Sequence, residues 1–153
     1  MRNILISNPK EYYPPMHTAE HILNRTMVRL FNTERSFSNH IEKKKSKCDY
    51  YFNRNLTETE IQNLQDEINN VIKQNLNVSE EIISLEEAKE KFKLDRLPEN
   101  HGNKIRIINV GNYDSCLCSG LHVKNTEEIG QIKILSSSFE NSVLRIRFKL
   151  HDK

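Results

Sequence analysis

The chain has 153 residues, 36% of them hydrophobic and 29% charged, with a formal net charge of +2. That length allows one domain with a buried core, and so mild a charge neither demands nor excludes a nucleic-acid partner. No apolar run approaches the ~18 residues of a membrane helix, and the three cysteines are an odd number with Cys116 and Cys118 too close for an ordinary disulfide, so reduced thiols or metal ligands are expected.

In chain order, the N-terminal MRNILISNPKEYYPP holds only a four-residue apolar patch, too short for a secretory signal, and the protein is expected to be cytoplasmic with no membrane contact. NILIS (3–7) reads as a short strand and NPKEYYPP as a turn-rich connector. Pro14 and Pro15 suit the entry to a helix from about Met16 to Phe31, with Ile22, Leu23, Met27, Leu30 and Phe31 at near-helical spacing. Residues 36–54 are more extended, with KKKSK as a solvated basic turn and CDYYFN as a strand. LTETEIQNLQDEINNVIKQNL is the clearest helix. Thr57 and Glu60 form a capping box, and Ile61, Leu64, Ile68, Val71, Ile72 and Leu76 follow at three- and four-residue steps. SLEEAKEKF repeats the pattern with Ser84 and Glu87. After the loop DRLPENHGN comes the strand KIRIINV (104–110), then a loop, GNYDSCLCSGLH, and two closing strands, IGQIKILSS and SVLRIRFKL. In the last, apolar Leu144, Ile146, Phe148 and Leu150 alternate with Arg145, Arg147 and Lys149, a half-buried strand with a basic outer face. Without regular βαβ alternation, the pattern predicts an α+β fold in a single domain, an antiparallel sheet packed against helices.

Two short motifs carry chemistry. His17 and His21 are four apart on the first helix, so they share a face with Cβ atoms about 6 Å apart and can converge on one ion. Alone, the pair better suits one packed and one surface histidine. Cys118 and His122 are also four apart, in a glycine-containing loop between predicted strands. Two such ligand pairs in one chain point to a mononuclear zinc site. His40, His101 and His151 read as surface residues, and Cys48 as a core or edge-strand thiol.

HTAEHIL followed by CSGLHVKNTEEIG resembles the editing domain of alanyl- and threonyl-tRNA synthetases and the free-standing alanyl-tRNA editing proteins, AlaX. The family's motifs are HxxxH, commonly within HTAxHLL, and CxxxH, commonly CGGTHVxxTGxIG. Thr126, Ile129 and Gly130 match the second. Asn69 and Ile72 match the family's VNxxI helix, and KIRIINVG the strand before the cysteine loop. The resemblance runs from about residue 14 to 150 and leaves no room for an aminoacylation domain, as in the short AlaX type.

The resemblance implies hydrolysis in trans of mischarged tRNA, typically tRNA for alanine carrying serine or glycine. His17, His21, Cys118 and His122 carry over as zinc-site residues. Thr18 and Ser119 are candidate partners for a substrate hydroxyl; Thr18 equally suits a hydrogen bond at the helix N-terminus. Two departures stand out. The frequent Gly-Gly-Thr is Ser119-Gly120-Leu121, and an acidic position two before the cysteine is Cys116. The acid's role is either vacant or moved to Asp114, and Cys116 is either a competing ligand or a structural thiol. Lys43, Lys44, Lys45 and Lys47, with the stripe Arg145, Arg147 and Lys149, are candidate tRNA contacts. The alternative is a non-catalytic tRNA- or partner-binding module whose zinc only staples the fold.

Overall fold

The computed structural model describes residues 13–92 and 102–151. The strand expected at 3–7, His101 and most of the loop before residue 102 lie outside them. Helix α1 spans Pro14–Phe31. Its prolines occupy the first turn, where their missing N–H groups leave no helical bond unmade. It ends at Asn32, which takes the left-handed conformation (φ 56°) and donates its N–H to the Val28 carbonyl. Met16, Ala19, Ile22, Leu23 and Met27 are buried. Leu30, expected among the apolar positions, is 45% exposed because the last turn runs past the edge of the core.

Strands β1 (Ser38–His40) and β2 (Ser46–Tyr51) form a hairpin across the basic turn. Helix α2 spans Glu58–Lys73, and its capping box is formed as predicted: the Thr57 hydroxyl accepts from Glu60 N, and the Glu60 carboxylate accepts from Thr57 N. Leu64, Ile68, Val71 and Ile72 are its buried stripe. Next come β3 (Val78–Ser84), α3 (Leu85–Lys91), β4 (Lys104–Val110) and β5 (Asp114–Leu117). A single 3₁₀ turn, Thr126–Ile129, precedes β6 (Ile132–Glu140) and β7 (Val143–Leu150).

The fold is α+β, as expected, but the strands form two antiparallel sheets. One has four strands in the order β1-β2-β7-β6 and the other three in the order β3-β4-β5. Helices α1 and α2 cover one face of the larger sheet. Ile22, Leu23, Leu64 and Ile68 pack there with Cys48, Tyr50, Leu144, Ile146 and Phe148 in the main core. A smaller core of Ile83, Ala88, Ile105 and Ile107 lies between α3 and the second sheet. Strand β3 was not predicted: its Glu80 and Glu81 are exposed because it is the edge strand, so it lacks an alternating apolar signal. The loop expected after β4 contains β5. The reversal between them needs Gly111 (φ 51°), where a Cβ would press into the Leu76 side chain at 3.0–3.2 Å.

Two side chains stitch the helices to strands. Asn69 accepts from Ile132 N (2.8 Å) and donates to Ile132 O (3.1 Å), completing the backbone bonding at the start of β6. Thr126, fully buried, donates to Ile72 O and accepts from Leu76 N, both at 2.9 Å, and so satisfies groups at the end of α2. Replacing Asn69 by Ala strands two backbone groups, and should lower stability by about 2 kcal/mol in urea unfolding, with the midpoint moving and the slope unchanged.

Candidate metal centre

The helical repeat sets His17 and His21 on one face of α1, in its first two turns. The segment leaving β5 crosses that face and delivers Cys118 and His122. One ligand atom from each of the four residues lies within 4.8 Å of the others. Cys118 Sγ is 3.5 Å from His17 Nε2 and 3.3 Å from His122 Nε2. A tetrahedral ion at 2.0–2.3 Å from nitrogen and sulfur donors would separate them by roughly 3.3–3.7 Å, so the cluster fits zinc in both donor type and spacing. The three imidazoles pack together, His17 on His122 with ring centroids at 4.3 Å and His21 edge-on to both.

Neighbouring groups fix each donor. The single Thr18 hydroxyl proton is donated to Pro14 O (3.1 Å), so Oγ1 accepts from Val123 N (3.2 Å) and from His122 Nδ1 (2.9 Å). That bond places the His122 proton on Nδ1 and leaves the Nε2 lone pair facing the cluster, as in metal-bound histidines that donate their other ring N–H to a neighbouring oxygen. His17 makes a backbone hydrogen bond with Leu121. Arg106 Nη1 donates to the carbonyls of Cys118 (2.9 Å) and Gly120 (2.8 Å), clamping the loop. Burial lowers the pKa of His17 and pushes His122 down to about 2, so both rings are neutral donors. Burial also lifts the Cys118 thiol to about 11, so a metal would have to displace its proton.

Charged groups flank the cluster. Asp114 is buried and accepts from Arg25 Nε (3.0 Å) and, through both oxygens, from Arg35 (2.7 and 3.2 Å). Its Oδ2 lies 3.7 Å from His21 Nδ1. Burial opposes the Arg35 charge, but Asp114, with Cys116 and Glu20, outweighs it and raises the Arg35 pKa. Cys116 is also buried, on the same face of β5, and points to Leu117 O (3.3 Å) rather than into the cluster. Its thiol is pushed up to about 12 by burial. Sequence reasoning missed Glu20. It is 5% exposed, with Oε1 3.7 Å from His17 Nε2 and Oε2 bonded to Asn24 Nδ2, while Asn24 accepts from Ser36 N. Its position three after His17 was the available signal.

The model of the threonyl and alanyl tRNA synthetase second additional domain matches residues 105–147, which include Cys118 and His122 but not the helical pair. The chain is 32% identical over 130 residues to an alanine–tRNA ligase of Fervidobacterium nodosum, covering 84% of this chain and 15% of the ligase. It is 30% identical over 130 residues, with the same coverage, to that of Thermoanaerobacter sp.. It is 32% identical over 123 residues to that of Microcystis aeruginosa, covering 80% of this chain and 14% of the ligase. The chain is related to the alanyl- and threonyl-tRNA synthetase editing domain. It spans about a seventh of the length of these ligases.

In this editing-type domain the remaining predicted residues, apart from Ser119, lie away from the cluster. Lys43, Lys44 and Lys45 are exposed in the β1–β2 turn. Lys47 and Arg147 are half-buried and face each other across β2 and β7, and Arg145 is engaged by Asp49 at 2.7 and 2.9 Å. His40 is exposed and pairs with Glu42 (2.8 Å), His151 is exposed, and Cys48 is a core thiol. Ser119 is partly exposed beside Cys118, and Leu121 is 38% exposed at the rim. Among the described residues, no helix is long and apolar enough to cross a membrane.

Metal titration separates the two nearby thiols. Cobalt should bind one per chain with a thiolate charge-transfer band. Cys118→Ala should lose that band and at least tenfold in affinity, whereas Cys116→Ser should keep both.

Proposed function

We propose that this editing-type domain, spanning 1–153, is a cytoplasmic trans-editing hydrolase. It would deacylate mischarged tRNA, serine or glycine wrongly joined to tRNA for alanine, with zinc held by His17, His21, Cys118 and His122. The observation that carries this reading is the convergence of three imidazoles and one thiol within a few ångströms, beside a partly exposed loop. When bound, the ion supplies Lewis acidity toward the ester carbonyl or a water. The net reaction adds water across the ester, giving the free amino acid and the terminal ribose hydroxyl.

The residues around the donors divide the remaining work. Thr18 holds His122 by its ring nitrogen and is spent on that task, which leaves Ser119 as the hydroxyl available to a serine side chain. An editing site gains selectivity by offering that hydroxyl a partner, whereas alanine offers nothing to bond. Leu121 stands exposed at the rim and narrows the approach. Glu20, a buried carboxylate with one oxygen held by Asn24 and the other toward the cluster, binds the substrate's α-ammonium.

One observation favours the second reading, a tRNA- or partner-binding module with a structural zinc. Four protein donors close a tetrahedral site, and closed sites are usually structural. The two readings part in one assay. Serine or glycine should be released from tRNA for alanine faster than alanine is, with release abolished by a chelator and restored by zinc. No release from protein shown to hold one zinc would leave the binding-module reading. Within the hydrolase reading, Glu20→Gln should lower kcat/KM roughly 10- to 100-fold, mainly through KM, with metal content unchanged.

A further inference from the structure

The larger sheet has an outer face that the helices do not cover. In antiparallel pairing, residues opposite one another project from the same face. Lys47 is opposite Arg147, and Lys133 is opposite Lys149. Like charges directly opposite destabilise a sheet, and here two such pairs are adjacent on three neighbouring strands. No ion pair joins Lys47, Lys133, Arg147 or Lys149 to a carboxylate among the described residues. Among the described residues, Arg147 bonds to the hydroxyls of Ser136 and Ser138, at 3.4 and 3.5 Å. This contrasts with Arg145 on the same strand, whose charge is neutralised by Asp49.

The charge is also polarised along the face. Its far end is apolar and acidic: Phe37 stacks on Tyr51 with centroids 4.0 Å apart, and Glu140 lies opposite Val143. The basic end borders the β1–β2 turn, since Ser46 is paired with Phe148, next to Lys149. Adding Lys43, Lys44 and Lys45 from that turn gives seven cations in one region. The carboxylate in that turn, Glu42, is engaged by His40. The whole chain carries only +2, so the rest of it is net negative and the cations are segregated. The turn also leads to the metal centre. Lys43 Nζ lies 5.8 Å from the ring centroid of Tyr13, whose carbonyl accepts from His17 N one helical turn before the cluster.

We infer that the basic end of this sheet face, continued by the β1–β2 turn, is the docking surface for the phosphate backbone of an RNA helix. It holds the substrate's duplex so that its single-stranded end reaches the cluster past Lys43 and Tyr13. Long flexible cations contact phosphates and do not read bases. The electrostatic cost of the opposed pairs is relieved when the polyanion is bound. This inference rests on the reading of the substrate as an aminoacyl-tRNA, and locates its body on the fold.

The test uses zinc-loaded protein and deacylated tRNA, so it does not depend on hydrolysis. The triple variant Lys47→Gln, Arg147→Gln, Lys149→Gln should bind tRNA at least tenfold more weakly at 100 mM salt. The slope of log affinity against log salt should fall by about three. Its Tm should be equal to or above that of the parent, because the repulsion is gone, and its zinc content unchanged. The matched control Lys73→Gln, Lys89→Gln, Lys91→Gln removes the same charge elsewhere and should leave affinity within twofold. Unchanged affinity in the sheet variant, or equal losses in both triples, would overturn the inference; equal losses would mean that only net charge matters. A protein that hydrolyses no aminoacyl ester but shows the sheet-specific loss would keep the surface and remove the editing activity.

Discussion

The site exists because one segment docks on one helix. Cys118 and His122 follow β5 and reach α1 only because Thr18 receives the segment, bonding His122 Nδ1 and Val123 N at once. Arg106 holds the other side of the loop through two carbonyls. Downstream, Val78 N donates to Lys124 O (2.8 Å), and Thr126 ties the same stretch to the end of α2. The ligand geometry is thus fixed from three elements before any ion arrives. This preorganisation keeps neutral donors aimed at a common point instead of at solvent.

The surroundings of the cluster are charged where a core would ordinarily be apolar. Asp114 with Arg25 and Arg35, and Glu20 with Asn24 and Ser36, fill the space between α1, the strand hairpin and β5. Burying such groups costs several kcal/mol of desolvation per ion, and their pairing only offsets it. The arrangement is therefore a poor way to gain stability and a good way to fix an electric field. Asp114 presents negative charge near His21, and Glu20 near His17.

The departures from the family pattern take on physical meaning in this setting. Residues two apart on a strand share a face, so Asp114 and Cys116 both project toward α1 from β5. Asp114 stands one pleat before Cys116, and burial pushes the Cys116 thiol up to about 12. At the rim, Leu121 replaces a hydroxyl with apolar surface, while the neighbouring Ser119 retains one.

Much of this was legible in the sequence. The helical periodicities of α1 and α2, the Thr57–Glu60 capping box, the alternation of β7 and the two spacings of four between ligands are all local signals, readable within a few residues. Edge strand β3, with exposed Glu80 and Glu81, carries no such signal, and β5 is too short to show one. Nor does sequence give pairings across long separations. Only the fold decided that there are two sheets and that Thr18 serves His122 from 104 residues away. The same is true of Glu20 bordering the cluster and of Lys47 facing Arg147. By itself the sequence determined which residues could bind a metal and which segments are helical, because those depend on spacing along the chain. Tertiary structure alone decided which charges are neutralised and which are left opposed, because strand register and packing are set by contacts between distant segments.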